Sequence, residues 1–499
     1  MDKITKVCLS KDNVVYLCDF FVSQTTSLTL VIIISLIFTF LGIVYSKKYQ
    51  GLNNYLTANR SVGFFSLSTS LVASALGAWI LFGPASAATW GGIGAVIGYA
   101  LGTAFPMIFL IYLGKKIRSE FPKGSTLIEF LRKRFGKSLF KLILFMTIFY
   151  MFIFLCAEVT AVSILINYIS GISLWVTASI ILIATLTYTL YGGLRASIFT
   201  DTIQFIIIVV LILISFIYLT SLTGDQFSFE FISIKNPRLL SGSYIPNYTA
   251  GLTFFIAVAA TNLFHQGNWQ RAYAAKNNKV LKKSLIISFI AIIPIVLFMG
   301  FSGLVAVSVD SNVTPDLSFF SLLLKDQTKF LSIIIIILGL SLTISTIDTL
   351  INAITSLVIV DAKASFGFKN KTNYLKLSKY FIILLSIIAF VIASKGFSVL
   401  YLFLLADLFC CAFVLTVFYS FYNKQLNEKT AYISIIIGLA VGFLLFPTPD
   451  FSKSLLVGTI LPAQLFPEFV SQSLLFLSFL FATASPAIVI MTYDSFKGR

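Results

Sequence analysis

Long apolar stretches alternate with short polar gaps along the whole chain. Most of these stretches have about 20 residues, the length that a helix needs to cross the hydrocarbon core of a bilayer. Thirteen membrane spans are predicted, at residues 26–46, 62–85, 92–114, 142–168, 173–191, 198–221, 249–267, 284–307, 331–361, 380–394, 397–421, 430–446 and 471–492. The pattern therefore predicts an all-α polytopic membrane protein whose immediate partner is the lipid bilayer.

Basic residues are concentrated in alternate gaps. The gaps after odd-numbered spans hold 27 of the 36 Lys and Arg residues. Because basic loops stay cytoplasmic, the N-terminus is predicted outside and the C-terminus inside, in a cell inner (plasma) membrane. The net charge of +17 would suggest nucleic acid for a soluble protein. Here the excess lies in loops such as 115–141, which face anionic lipid headgroups, so no nucleic-acid partner is predicted.

Two spans are interrupted. Span 2 contains Gly77 and then Gly83-Pro84, and span 7 contains Gly251, Asn262 and Gly267. Interrupted helices at corresponding positions of two halves are typical of a transporter binding site. Spans 2–6 and 7–11 enter from opposite sides, so they predict a five-plus-five inverted repeat. The predicted units are residues 1–61 (outer segment, extra span and loop), 62–222 and 248–422 (the repeats), and 430–499 (two further spans and a tail).

Acidic residues inside the spans are the first functional candidates, because buried charge in a membrane is costly. Glu158, Asp201, Asp348 and Asp407 lie in or at the ends of spans, whereas Lys and Arg are nearly absent from span centres. Four acids without basic partners predict a cavity that favours cations.

Zinc-type and enzymatic chemistry have no support in the sequence. His265 is the single histidine, and the five cysteines include no Cys-x-x-Cys pair, so a zinc site lacks ligands. No nucleophile motif or cofactor fingerprint is present, and neither an enzyme nor an organic cofactor is predicted. Cys8 and Cys18 share the predicted outer segment, where a disulfide between them stays open.

Span 9 carries the densest polar cluster. Ser345, Thr346, Asp348 and Thr349 cover one wide face of a helix. Hydroxyl, carbonyl and carboxylate oxygens suit a small hard cation such as sodium. The alternative is that the hydroxyls bond the carbonyls of their own helix or hold neighbouring helices together. Asp348, three residues after Ser345, favours the ion-binding interpretation.

Several segments resemble the sodium/solute symporter family, which includes the sodium-coupled sugar, proline, pantothenate and sialic acid carriers. The resemblance covers roughly residues 45–425 and implies a leucine-transporter-like fold. The segments that carry it are GGLRASIFTDTIQ at 192–204, TANRS at 57–61 with SLVA at 70–73, NWQR at 268–271 with AAKN at 274–277, and STIDT at 345–349.

The resemblance also implies ion ligands. The shared sodium site of the family falls on the carbonyls of the interrupted span and on span 9, at Ala73, Leu76, Leu342, Ser345 and Thr346. A second ion site, present in some members, falls on Asp201, Ser345, Asp348 and Thr349. Sodium is therefore the expected coupling ion and the only metal ion expected.

The solute site is predicted from the remaining polar and aromatic residues of the spans. Sugar carriers of the family place a polar side chain near the position of Ile80, where this chain is apolar, so a sugar is disfavoured. Carboxylates beside apolar walls suit an amino acid or an organic cation. The predicted cavity residues are Trp79, Ile80, Glu158, Asn262, His265 and Asp407.

These observations predict a sodium-coupled secondary active transporter that imports a small organic solute by alternating access. A proton-coupled symporter of the same fold stays open, because Glu158 or Asp407 could carry a proton. A membrane sensor or transceptor with a separate output protein also stays open. Its basis is the segment YLFLLADLFCC at 401–411, which resembles the membrane domains of sensor-kinase-linked members.

Overall fold

The computed structural model describes residues 6–9, 15–18, 20–324, 329–362, 371–459 and 468–497. Helices dominate these residues from residue 24 onward. Those of the first half are α1 (Gln24–Lys47), α2 (Leu52–Thr57), α3 (Phe64–Ala75), α4 (Gly83–Glu120), α5 (Leu127–Arg134), α6 (Lys137–Ser170), α7 (Leu174–Thr223) and α8 (Phe229–Lys235). Those of the second half are α9 (Ile245–Phe264), α10 (Gln266–Ala274), α11 (Asn278–Val309), α12 (Ser318–Leu323), α13 (Lys329–Leu357), α14 (Lys371–Ala393), α15 (Val399–Tyr419), α16 (Glu428–Leu445), α17 (Glu468–Gln472) and α18 (Leu474–Lys497).

Each of the thirteen predicted spans has a helical counterpart. Among the described residues, ten helices are long and apolar enough to cross a membrane. Predicted spans 5 and 6 lie in one of these, α7, which bends at Gly193, where φ is 61° and ψ is −153°. Span 2 corresponds to α3 and the first turns of α4, and span 7 corresponds to α9. A second bend, at Gly92 of α4 with φ of 61°, separates span 2 from span 3.

The predicted break of span 2 lies at Gly77. Helix α3 ends at Ala75, Leu76 leaves helical geometry with φ of −104° and ψ of 80°, and a 3-10 helix over Ala78–Leu81 leads into α4. Pro84 stands in the first turn of α4, where its missing N–H costs no helical hydrogen bond. The break leaves backbone amides and carbonyls without helical partners in the middle of the protein.

Span 7 breaks at His265 rather than at the positions that its sequence suggested. Gly251 and Asn262 both lie inside α9, which ends at Phe264, and His265 has a ψ of 105°. Asn262 stays in the helix because its amide donates to the carbonyl of Val258 at 3.0 Å. Gly251 serves packing instead of a break, because a Cβ there would lie 2.9 Å from the carbonyl oxygen of Gly94.

A row of glycines brings α4 and α9 into backbone contact. A Cβ built on Gly94 would lie 1.7 Å from the carbonyl oxygen of Asn247, and one on Gly98 would lie 2.0 Å from that of Gly251. Small residues permit such approach between membrane helices, where packing rather than hydrophobicity holds helices together. The glycines thus fix the start of the second repeat against the first.

Helix α13 forms the centre of the molecule. Its residues from Leu338 to Leu357 are all buried, and it packs against α3, α6 and α7. Outer helices instead expose large apolar side chains, such as Phe40 at 66% and Ile217 at 61%, as a surface in contact with lipid requires. The polar cluster predicted on span 9 is therefore held away from both lipid and bulk water.

A short hairpin precedes the helices of this all-α membrane fold. Strands β1 (Lys6–Leu9) and β2 (Val15–Cys18) pair antiparallel, with Cys8 opposite Tyr16 and Cys18 opposite Lys6. The backbone register does not place the two cysteines directly opposite each other. The side chains of Cys8 and Cys18 lie outside what the structure describes, so a disulfide between them stays an open prediction.

Candidate ion and solute sites

Two buried carboxylates of the predicted second ion site lie between α7 and α13. Asp348 accepts hydrogen bonds from the hydroxyls of Tyr188 at 2.6 Å, Ser197 at 2.8 Å and Thr200 at 3.2 Å. Tyr188 and Ser197 flank the bend at Gly193, so this bend is what directs both hydroxyls toward α13. Thr200 lies inside α7, after the bend.

Asp201 is surrounded by donors from three other segments. It accepts from the hydroxyl of Ser70 at 2.5 Å and from that of Ser345 at 2.6 Å. Its third partner is the guanidinium of Arg271, at 2.6 Å, and both side chains are fully buried. The expectation of acids without basic partners is therefore wrong for Asp201.

Arg271 was not predicted as a partner of these acids because it lies outside the predicted spans. It belongs to α10, a short helix after the break at His265, and every residue of α10 is buried. The helix contacts α3, α4 and α13. These contacts place Arg271 in the core of the protein. Hydropathy along the chain does not indicate that α10 is buried, because the segment is polar and only nine residues long.

The residues implied for the first sodium site lie on two segments that pack together, the end of α3 and the middle of α13. Leu76 donates its amide to the carbonyl of Ala73 at 3.3 Å. On α13, the hydroxyl of Thr346 donates to the carbonyl of Leu342 at 3.1 Å. Each of these oxygens keeps a lone pair, and a set of neutral carbonyl and hydroxyl oxygens is suited to a monovalent hard cation.

A small cavity lies beside the two breaks. Its volume is about 30 Å³, which is room for one or two water molecules. Aromatic rings and one carboxylate dominate its wall. The lining residues are Ser74, Ala75, Trp79, Tyr99, Phe154, Val258, Thr261, Asn262, His265, Phe403 and Asp407.

Four of the predicted solute-site residues therefore meet at this cavity. They are Trp79, Asn262, His265 and Asp407. Asp407 accepts from the hydroxyl of Thr261 at 2.6 Å, and the ring of Trp79 stacks on Tyr99 at 5.5 Å. Tyr99 was missed by sequence reasoning because it lies in span 3, which carries no break and no charge.

Comparison with known proteins identifies the family. The sequence model of the sodium:solute symporter family matches residues 55–438, most of the chain. This protein belongs to the sodium:solute symporter family. It is therefore a secondary transporter and not an enzyme, and its family implies sodium as coupling ion.

Relatives in this family share low identity with the chain. The spermidine transporter DUR31 of Candida albicans is 26% identical over 383 residues, 76% of this chain and 71% of that protein. Sodium/glucose cotransporter 1 of Ovis aries is 32% identical over 191 residues, 37% of this chain and 27% of that protein. The chain thus matches only about a quarter of the length of that cotransporter.

Solved structures agree on the fold. A Na⁺-coupled sialic acid symporter in a substrate-bound outward-open state has a TM-score of 0.70 at 16% identity, over 93% of this chain and 96% of that chain. Mhp1, a nucleobase-cation-symport-1 family transporter in a closed conformation with bromovinylhydantoin bound, has a TM-score of 0.55 at 14% identity, over 89% of this chain and 96% of that chain. The symporter thus has the leucine-transporter-like fold with its five-plus-five inverted repeat.

Glu158 and Ile80 are absent from the cavity wall of this symporter. The carboxylate of Glu158 accepts from the backbone amide of Ala78 at 2.9 Å, at the start of the 3-10 helix that follows the break. A Cβ on Gly77 would lie 2.1 Å from Glu158 Oε1. Glu158 therefore supplies the acceptor that the interrupted helix requires, a role that its position in a neighbouring span did not reveal.

Hydrogen bonds tie the chain on both sides of the break to other segments. Before the break, Val62 pairs with the end of α10 and the residues after it. Its amide donates to the carbonyl of Ala274 at 3.0 Å, and its carbonyl accepts from the amide of Lys276 at 2.9 Å. Beyond the break, the carboxylate of Asp316 accepts from Ser86 at 2.9 Å and from Ser398 at 3.0 Å. These contacts join the interrupted span of the first repeat to the second repeat on either side of the break.

Proposed function

We propose that this symporter uses sodium to import a small organic cation with a protonated amine. The observation that carries the proposal is the wall of the cavity, where Asp407 faces a set of aromatic rings. An ammonium group pairs with a carboxylate and lies favourably over aromatic faces. The rings on this wall belong to Trp79, Tyr99, Phe154 and Phe403.

The same wall distinguishes among solute classes. An amino acid presents a carboxylate as well as an ammonium group, yet the described residues that line the cavity include no Lys or Arg. A sugar is disfavoured because Ile80, near the position where sugar carriers of the family place a polar side chain, is apolar here. The relative named as a spermidine transporter also supports an organic cation, because spermidine is a polyamine. Uptake of labelled spermidine, a quaternary amine, an amino acid and a sugar into proteoliposomes tests whether organic cations are preferred over amino acids and sugars.

Sodium is proposed to bind between the end of α3 and α13, at Ala73, Leu76, Leu342, Ser345 and Thr346. An ion there ties the interrupted span of the first repeat to the second repeat, and so organises the neighbouring cavity. One sodium ion moving inward gains about 2.3 kcal/mol per 100 mV of membrane potential. The gain from the sodium ion alone supports roughly 50-fold accumulation, and the positive charge of the solute adds a further gain from the same potential.

Thr346→Ala is expected to raise the sodium concentration for half-maximal uptake roughly fivefold or more, because loss of one hydroxyl ligand costs about 1–3 kcal/mol. Sodium titrations of uptake with purified transporter in proteoliposomes measure this shift. Thr343→Ala is the matched control, since Thr343 is also buried on α13 but is not a proposed ligand. An unchanged sodium dependence in folded Thr346→Ala transporter contradicts the assignment. Uptake that follows a proton gradient without sodium would favour the proton-coupled alternative.

We also propose that the N-terminus lies outside the plasma membrane and the C-terminus inside, on the basis of the Lys and Arg distribution. Lys123→Cys and Ser243→Cys test it, because both positions are exposed in loops at α4–α5 and before α9. In a Cys8→Ser, Cys18→Ser background, an impermeant maleimide is expected to label Ser243→Cys from outside and Lys123→Cys only after the membrane is opened. Labelling of both from the same side contradicts the arrangement.

A further inference from the structure

A pocket with two lysines lies between the first turns of α6 and α16. Its volume is about 990 Å³, and Lys141 and Lys429 line it. Both lysines are exposed, and neither ammonium group forms a salt bridge with a described residue. The exposed side chains of Ser138 and Tyr432 add hydroxyl donors to the same wall. We name this feature the basic pocket.

Glu428 is the single acid among the described residues that line the basic pocket. Its Oε1 accepts from the backbone amides of Ser138 at 3.1 Å and Leu139 at 3.0 Å. These amides belong to the first turn of α6, where a carboxylate offsets the positive end of the helix dipole. Because the charge of Glu428 is directed at the helix, the two lysines leave the pocket with an excess of positive charge.

An apolar groove of about 640 Å³ continues from the basic pocket, and Lys141 and Phe145 line both cavities. The groove follows one face of α6 from Lys141 past Phe149 to Phe152. Its opposite wall comes from α14 and from the turn Val358–Ala362 after α13. Apart from Lys141, every described residue on the wall of this groove is apolar.

The length of the groove matches one leaflet of a bilayer. The stretch of α6 from Lys141 to Phe152 is about 16 Å long, at about 1.5 Å per residue. Half of a hydrocarbon core of about 30 Å is about 15 Å. Lys141 lies at the polar end, because α6 begins at Lys137, next to the most basic loop of the chain. The groove therefore runs from the membrane surface to the middle of the bilayer.

A second large groove shows that the lysines are a distinguishing feature. It lies between α4, α15 and α18 and has a volume of about 680 Å³, and the described residues that line it include no Lys or Arg. An apolar groove alone accepts the acyl chain of any lipid. A groove that ends at two lysines also distinguishes headgroups by charge.

We propose that the basic pocket and its apolar groove bind one anionic phospholipid from the leaflet that the Lys and Arg distribution assigns to the cytoplasm. The phosphate lies between Lys141 and Lys429, since lysine binds phosphate as a point charge, and the hydroxyls of Ser138 and Tyr432 donate to it. One acyl chain follows α6 to Phe152. The bound lipid joins α6 and α14 to α16. This site is separate from the solute cavity and does not depend on the coupling ion.

Binding of two lipids with identical acyl chains to the purified transporter in detergent tests the proposal. Native mass spectrometry measures the affinity of each. The natural transporter is expected to bind phosphatidylglycerol, which is anionic, roughly 30-fold more tightly than phosphatidylcholine, because each of two lysines near the phosphate contributes about fivefold. The double variant Lys141→Gln with Lys429→Gln is expected to lose this preference.

The matched control is Lys279→Gln with Lys283→Gln. It removes the same charge at two exposed positions on α11 that line neither cavity, and it is expected to keep the 30-fold preference. Equal affinity of the natural transporter for the two lipids overturns the proposal. Loss of the preference in the control variant also overturns it, because the charge of the whole surface would then explain the preference.

The acyl chain is tested with Ala362→Trp, which fills the wall of the groove and is expected to weaken both lipids severalfold. Folding is checked by gel filtration and melting temperature, and Leu377→Trp, at an exposed position of the same wall, replaces a variant that does not fold. Unchanged affinity in the folded variant contradicts the proposed path of the chain. Soluble glycerol 3-phosphate is expected not to displace phosphatidylglycerol. Its displacement of the lipid at equal concentration would identify a site for free phosphate and overturn the proposal.

Discussion

Asp407→Asn is expected to raise the concentration of an organic cation needed for half-maximal uptake by about 10- to 100-fold. The change removes the negative charge from the cavity wall but keeps the size of the side chain and an oxygen that accepts from Thr261. Hydrogen bonds to charged groups contribute about 1.5–3 kcal/mol. The binding free energy of a buried ammonium group is expected to weaken by this amount when its counter-charge is removed. Solute titrations at saturating sodium measure the effect.

The control for this substitution is Asp450→Asn, because Asp450 is fully exposed in a loop and does not line the cavity. It is expected to leave uptake unchanged. Sodium titrations of Asp407→Asn at saturating solute complete the test. If Asp407→Asn alters the sodium curve and leaves the solute curve in place, Asp407 serves the ion and the proposed solute site is wrong.

Gly98→Ala is expected to destabilise the folded symporter by several kcal/mol or to prevent its assembly. The new Cβ would lie 2.0 Å from the carbonyl oxygen of Gly251, and a backbone atom inside two packed helices cannot move aside as a flexible side chain does. Overpacking costs typically about 1–3 kcal/mol even where neighbours adjust. Melting temperature in detergent and the yield of monodisperse protein measure the loss.

Gly114→Ala, on the same helix, is the matched control. Its added Cβ would meet the end of the Leu281 side chain at 3.3 Å, and a leucine methyl can shift. Its melting temperature is expected to stay close to that of the natural protein. Equal stability of both variants would mean that α4 and α9 are held apart in the membrane, contrary to the packing described above.

Much of the candidate site could be predicted from residue types alone. Carboxylate, amide and imidazole side chains in apolar spans are costly, so their presence at Asp407, Asn262 and His265 indicated a site. The structure places these three side chains on one cavity wall, together with Trp79. Glu158 carried the same signal but lies at the break, because a carboxylate in a span can serve either a solute or the unpaired amides of an interrupted helix.

The sequence predicted the position of the helix break correctly in span 2 but not in span 7. Gly77 interrupts span 2 as expected, since no other residue fits so close to Glu158. In span 7, Gly251 lies inside the helix against α4, and the chain instead turns at His265. Glycine permits both a break and a close helix contact, and the choice depends on the neighbouring helix, which a single span does not contain.

The sequence by itself determined that this protein crosses the membrane many times, that its halves repeat in opposite orientation, and which residue types form its site. These properties follow from hydropathy, charge distribution and local motifs, which act over a few tens of residues. The tertiary structure alone decided that Arg271 meets Asp201, that Tyr188 and Ser197 bind Asp348, and that Tyr99 joins the cavity wall. Tyr188 and Asp348, for example, lie 160 residues apart, and such meetings depend on how helices pack rather than on any pattern along the chain.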